Sequence, residues 1–202
     1  MHLIGLTGVV GMGKSAAADL LRQRGVPVVD TDVLAREIVE PGQPALEEIR
    51  RLLGAEVIDE QGCLRRDEVA RQVFANEALR GQLEAITHPR IRERWRTQAD
   101  QWRRDGQARG VVVIPLLFET KAESEFDTVL CVACSAATQR RRLLDRGWST
   151  EQVEQRIHTQ WPVDQKMARA QFVIWTEGGL AVHAEQLDRI LKMLGGVEAA
   201  QS

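Results

Sequence analysis

The sequence predicts an α/β fold: a parallel sheet of about five strands flanked by helices, with a helical insertion and a small helical lid. Three observations carry this. Five short apolar runs, Leu3 to Thr7, Val26 to Val29, Val111 to Ile114, Thr128 to Ala133 and Phe172 to Trp175, are separated by helical patterns. That order suits a parallel sheet covered by helices on its faces. Between the first run and a strong helix former ending at Gly25 stands Gly8-Val9-Val10-Gly11-Met12-Gly13-Lys14-Ser15. It fills the pattern G-x-x-x-x-G-K-[ST] without a mismatch, in the strand, loop and helix context the pattern needs. The gap from Val29 to Val111 is too long for one crossover and holds several more helical patterns.

The glycine loop is the most specific element. Gly8, Gly11 and Gly13 permit the backbone angles and the close approach that a side chain blocks. The following helix offers its unpaired N–H groups and positive dipole end to an anion. Lys14 adds a point charge for β- and γ-phosphates, and the Ser15 hydroxyl is expected on Mg²⁺. Lys-Ser at the helix start has no role in a dinucleotide-binding loop. The sheet is therefore read as the P-loop NTPase type.

The second run ends in Val29-Asp30-Thr31-Asp32, at a strand end where open parallel sheets bind ligands. Either carboxylate can take a proton from an attacking hydroxyl or hold a water on Mg²⁺. Equally, Asp32 can cap a helix over Val33 to Val39. Pro41-Gly42-Gln43-Pro44 marks the entrance of the insertion, which contains helical patterns at Ala45 to Leu53, Asp67 to Phe74, Glu77 to Ile86 and Pro89 to Arg104. His88-Pro89 is read as the lead into the last of these. Asp59-Glu60-Gln61-Gly62 matches a GTPase motif, but no N-K-x-D follows any strand, so it is read as a turn.

The third run leads into Pro115-Leu116-Leu117-Phe118-Glu119 with no acidic residue directly at its end. Metal ligation is therefore expected to rest on Ser15, the phosphates, water and the Asp pair. Arg140 to Arg146 and Thr150 to His158 read as a helix pair forming the lid. Arg142 and Arg146, four apart, share a face and either clamp phosphates or form a solvated basic surface. Leu180 to Leu194 is a final amphipathic helix stopped by Gly195-Gly196, with a frayed tail to Ser202. The boundaries expected are a core at about 1–40, 108–136 and 168–196, an insertion at about 41–107 and a lid at about 137–167.

The chain has 202 residues, 44% of them apolar, and a formal net charge of −2. That suits one core domain with an insertion, and it gives no global basic field for nucleic acid. No run of about eighteen apolar residues is present, and a phosphate motif this close to the first residue leaves no room for a cleaved leader. A soluble cytoplasmic protein, monomeric or weakly self-associating, is the expectation. Cys131 and Cys134 form a lone C-x-x-C in an apolar run and, with Cys63, make an odd number, so buried thiols are expected rather than a metal or disulfide site. Trp95, Trp102, Trp148 and Trp161 are read as core.

In one order the chain carries Gly8 to Ser15, Asp30-Thr31-Asp32 with Ala35-Arg36, His88-Pro89 with Ile91, Pro115 to Glu119, Gln139 with Arg142 and Arg146, and Gln160 to Lys166 followed by Ala170 and Phe172-Val173-Ile174. From about Leu3 to Leu194 this resembles the dephospho-CoA kinases. The resemblance implies transfer of the ATP γ-phosphoryl group to the ribose 3′-hydroxyl of dephospho-CoA. It places Gly8, Gly11, Met12, Gly13, Lys14, Ser15 and Ala16, with Arg142 and Arg146, on the nucleotide side. Asp32 as base, Arg36, His88, Pro115 and Leu116 fall on the acceptor side, which the helical insertion covers. Three positions depart from the family pattern: Ala16 for a second hydroxyl, Gln171 for an Asp, and the turn Trp175-Thr176-Glu177-Gly178 for one containing Asn. They are expected to bear on nucleotide contacts, not on the chemistry. Another small-molecule kinase and a nucleotide-dependent switch are the competing readings; an acceptor panel separates them.

Overall fold

The computed structural model describes residues 1–74 and 76–198, the side chains of 196–198 excepted. Its strands are β1 (His2–Thr7), β2 (Val28–Asp30), β3 (Arg109–Val113), β4 (Thr128–Ala133) and β5 (Phe172–Trp175). The helices are α1 (Lys14–Gln23), α2 (Thr31–Glu37), α3 (Pro44–Leu53), α4 (Arg66–Phe74), α5 (Glu77–Arg104), α6 (Ala136–Leu144), α7 (Thr150–His158), α8 (Val163–Arg169) and α9 (Leu180–Glu198). The chain divides into two compact units, residues 1–29 with 102–202, and residues 30–101.

The first unit is built on the sheet, whose order is β2-β3-β1-β4-β5. β1 lies parallel between β3 and β4, with Leu6 opposite Val113 on one side and Leu130 on the other. β4 and β5 are parallel, Leu130 opposite Phe172. β4 is buried along its whole length, as a strand covered on both faces must be. Ile4, Leu6, Val111, Leu130, Val132 and Ile174 form the core with Leu20 and Leu21 of α1 and Leu187 and Ile190 of α9. β3 begins against Trp102: a Cβ on Gly110 would lie 2.4 Å from the indole ring, so only glycine fits there. Trp95 and Trp102 are buried as expected. Trp148 and Trp161 are not core; each is half-buried and covered by a guanidinium, Arg156 at 5.8 Å and Arg169 at 4.8 Å from the ring centre.

In the second unit the apolar faces of α3 and α4 close over Ile38 and Val39, which follow α2, in a cluster with Leu46, Ile49, Leu53, Val57 and Val69. α5 departs from expectation: the two helices expected at Glu77 to Ile86 and Pro89 to Arg104 are one helix with Pro89 inside it. Proline removes one i→i−4 hydrogen bond and normally breaks a helix. Here Leu79, Leu83, Ile86 and Ile91 all pack on the same cluster, so the buried stripe crosses the proline and holds both halves in line. Arg90 Nη1 donates to the Ile86 carbonyl beside the gap. Asp59-Glu60-Gln61-Gly62 is the expected turn: Asp59 Oδ1 accepts from the N–H of Gln61 and of Cys63.

Two further boundaries shift. α6 ends at Leu144, so Arg146 stands in the following turn at Gly147 and not on a helix face with Arg142. α9 runs through Gly195-Gly196 to Glu198 instead of stopping there. A Cβ on Gly195 would lie 2.6 Å from the Arg109 guanidinium, so the glycine makes room for that side chain. The packing of Leu187, Ile190, Leu191 and Leu194 offsets the roughly 1 kcal/mol that each helical glycine costs. The frayed tail expected at the end lies, from 199 to 202, outside the described residues. Among the described residues no helix is long and apolar enough to cross a membrane.

Candidate active site

β1 delivers the chain into the phosphate loop at the middle of the sheet, and sterics decide its glycines. Gly8 has φ +147°, and a Cβ there would meet the Val132 carbonyl oxygen at 2.5 Å, because β4 runs directly beside it. Gly11 (φ +81°) has the same problem with the Leu143 side chain at 2.9 Å. Gly13 (φ +99°) is the N-cap of α1 and supplies no side-chain cap, so no side chain competes with an anion for the first N–H groups of the helix there. Lys14 Nζ folds over the loop and donates to the carbonyls of Gly8 (2.7 Å) and Val9 (3.2 Å). Ser15, exposed, and Ala16, half-buried, begin α1. A glycine cradle, an uncapped helix start and a lysine over its mouth fit a polyphosphate. Among the described residues no group of three His, Cys, Asp or Glu side chains is arranged to hold a metal ion.

Contacts that the sequence did not disclose hold this loop from outside. Gln139 Nε2 donates to the Val10 carbonyl at 2.7 Å, and the Val10 N–H donates to Gln160 Oε1 at 2.9 Å. Thr176 Oγ1 donates to the Met12 carbonyl at 2.9 Å. Arg142 seats both ends of its guanidinium on that same threonine, Nη1 donating to Oγ1 and Nη2 to the carbonyl. The next residue, Glu177, accepts from the Ser135 N–H and the Thr138 hydroxyl, which ties the β5–α9 turn to the start of α6. The hydrogen bonds from Ser135 hold its carboxyl well below the ordinary 4.5, at about 2. The departures at Thr176 and Glu177 therefore bear on the loop and on Arg142. Gln171 does not: it sits before β5, at the amino edge of the sheet, where its Oε1 accepts from the Val129 N–H.

Pro115 and Leu116 are half-buried after β3. The Pro115 carbonyl accepts from Thr7 Oγ1 and from Lys166 Nζ (2.7 Å). Lys166 is fully buried and pairs with Glu119 at 2.8 Å, and Glu119 Oε1 also accepts from the Trp161 N–H. A buried cation with a short carboxylate partner and a carbonyl is costly to break. Cys131 and Cys134 are buried, and burial pushes both thiols up, Cys131 to about 11, which removes thiolate chemistry near neutral pH.

The remaining sequence-predicted residues belong to the second unit. Asp30, not Asp32, is the N-cap of α2: its Oδ1 accepts from the Asp32 N–H at 2.9 Å. Capping is therefore not what Asp32 does. It stands exposed in the first turn of α2, and Arg36, exposed, is four residues on along the same helix face. His88 is half-buried within continuous α5, one residue before Pro89, so the pair does not lead into a separate helix. Arg90 and Arg94 of the same helix reach back to Glu48 (2.7 Å) and to Gln43 (3.2 Å).

A profile of the dephospho-CoA kinase family matches residues 2–181 of the chain. A dephospho-CoA kinase of Anaeromyxobacter dehalogenans is 44% identical over 197 residues, covering 97% of this chain and 93% of the relative. A crystal structure from Thermus thermophilus aligns with a TM-score of 0.83 at 36% identity, over 96% of this chain and 97% of the other. A dephospho-CoA kinase structure from Campylobacter jejuni aligns with a TM-score of 0.72 at 22% identity, over 97% and 98%, a likeness of fold.

Proposed function

The chain belongs to the dephospho-CoA kinase family, and from that premise we propose how its residues carry the reaction. The reaction is transfer of the γ-phosphoryl group of ATP to the ribose 3′-hydroxyl of dephospho-CoA, giving coenzyme A and ADP, the last step of coenzyme A synthesis. The observation that carries this reading is a fully assembled phosphate loop in a chain that matches the family over nearly its whole length.

The 3′-oxygen attacks the γ-phosphorus, the bond from that phosphorus to the β–γ bridging oxygen breaks, and ADP leaves. The hydroxyl proton passes to the Asp32 carboxylate, in the first turn of α2. Phosphoryl transfer demands little covalent help and depends on placement and charge. Gly11 to Ala16 hold the phosphates through main-chain N–H groups, Lys14 follows the charge at the β- and γ-oxygens, and Arg142 supplies a second cation from α6. Ser15 is the residue that would hold Mg²⁺ with the phosphates, and the ion would supply positive charge against the charge developing on them. Arg146 completes the nucleotide side, and Arg36, His88, Pro115 and Leu116 serve the acceptor. Within this reading residues 41–107 cover the acceptor, 137–167 act as a lid that excludes water, and the protein works in the cytoplasm as a monomer or weak homo-oligomer.

An acceptor panel tests the reading. Purified protein with ATP and Mg²⁺ is given dephospho-CoA, shikimate and nucleosides in turn, and ADP release is followed. Release with dephospho-CoA alone is expected; equal release with another hydroxyl acceptor, or with water, overturns it.

A further inference from the structure

Val10 stands in the middle of the phosphate loop, and side chains from one distant segment take both of its main-chain polar groups. Gln139, on α6 and buried, donates through Nε2 to the Val10 carbonyl. Gln160, after α7, accepts through Oε1 from the Val10 N–H. An N–H can only donate and a carbonyl can only accept, so the orientation of each amide is forced by its partner. Gln160 is itself held in place, since the N–H of the next residue, Trp161, donates to Glu119, and Glu119 is fixed by buried Lys166.

A trans peptide is planar, so its C=O and the following N–H point in opposite directions. The bond from Gln139 holds the Val10 carbonyl and thereby aims the Gly11 N–H the other way. The bond to Gln160 holds the Val10 N–H and thereby aims the Val9 carbonyl, which accepts from Lys14 Nζ. Gly11, at φ +81°, has no Cβ to resist a turn of the peptide before it; the loop's own bond, from the Met12 N–H to the Val9 carbonyl, spans that peptide without engaging it, and Gln139 bonds it from outside.

We propose that Gln139 and Gln160 are positioning residues for the nucleotide, with opposite polarities: Gln139 orients the Val10–Gly11 peptide as a phosphate donor, and Gln160 orients the Val9–Val10 peptide that seats Lys14. This rests on the reading of Gly8 to Ser15 as the ATP phosphate site. Because the two amides work with opposite ends, the same substitution has opposite consequences. Gln139→Glu sets a carboxylate against the Val10 carbonyl, whereas Gln160→Glu keeps an acceptor for the Val10 N–H.

Steady-state kinetics of the full chain, varying ATP and dephospho-CoA separately, test this. Gln139→Glu is expected to raise the KM for ATP about tenfold, the order set by a buried acceptor left unmatched. The KM for dephospho-CoA should stay within about twofold, and Gln160→Glu, which keeps an acceptor for the Val10 N–H, should raise the KM for ATP less than Gln139→Glu does. Equal shifts in the two Glu variants, or parallel shifts in both KM values, overturn the proposal. Should Gln139→Glu fail to fold, Gln139→Met removes the donor at similar volume. It should still raise the KM for ATP alone; no rise overturns the proposal. Calorimetric titration with ATP reads the same polarity contrast without any acceptor. A parent that binds ATP but forms no coenzyme A therefore refutes the assigned reaction and leaves the positioning test standing.

Discussion

Around the phosphate loop the polar contacts run to main chain: Gln139 and Gln160 to Val10, Thr176 to Met12, Lys14 to Gly8 and Val9, Lys166 to Pro115. In the helical unit of residues 30–101 exposed and half-exposed side-chain ion pairs stand out, as in Arg90–Glu48, Arg94–Glu37 and Arg71–Glu68, beside local turns and caps on the main chain. The two styles have different consequences. A side chain bonded to a peptide group fixes where the backbone points, so losing it moves a functional donor. An exposed ion pair is screened, is typically worth about 0–1 kcal/mol, and can be lost without moving the helix that carries it. The loop region is thus expected to be brittle and the helical unit forgiving, except at Asp32.

The strongest way to sharpen that contrast is Lys14→Ala, expected to cut turnover about a thousandfold by removing a cation from the transferring group; a loss below tenfold in initial-rate assays would break it. Lys166→Met comes next. It leaves Glu119 buried without its cation, and chemical denaturation should show a loss of about 3 kcal/mol. Asp32→Asn is the exception in the forgiving unit. Turnover should fall about a hundredfold, with ATP affinity by calorimetry unchanged; lost ATP affinity would assign the residue to the nucleotide or its metal. Arg90→Met, which breaks a half-exposed pair and a bond to the Ile86 carbonyl, should cost no more than about 1 kcal/mol.

The smallest effect is one of pH. The Glu177 carboxyl lies at about 2 in the folded chain against an ordinary 4.5. A depressed carboxyl pKa means that its contribution is complete above the unfolded value and is lost as pH falls through the folded one. The melting-temperature advantage of the parent over Glu177→Gln should hold above about pH 4.5 and shrink toward pH 2. An advantage that does not change with pH would remove Glu177 as the tie between α6 and the β5–α9 turn.

The same contrast governs what the sequence made legible. The phosphate loop reads letter by letter because its constraints are local: glycine where φ is positive, lysine and serine at a helix start. β4 reads to the residue because it is buried on both faces. Pro89 misleads because a local rule for ending helices is overruled by an apolar stripe that continues past it to Ile91. The cap of α2 moves from Asp32 to Asp30 because β2 extends to Asp30 instead of ending at Val29, which brings the helix start forward to Thr31. The grip of Gln139 on Val10 and of Arg142 on Thr176 spans 129 and 34 residues. No local pattern encodes such pairings, so these residues could be noted but their partners could not.

The most direct test of the reaction is mass spectrometry of the products formed from ATP, Mg²⁺ and dephospho-CoA by the parent chain and by Lys14→Ala. Coenzyme A formed by the parent, with at most a trace from the variant, is the expected result. Coenzyme A formed equally by both, or ATP bound and consumed by the parent with no coenzyme A produced, would contradict the assignment of this loop to that reaction.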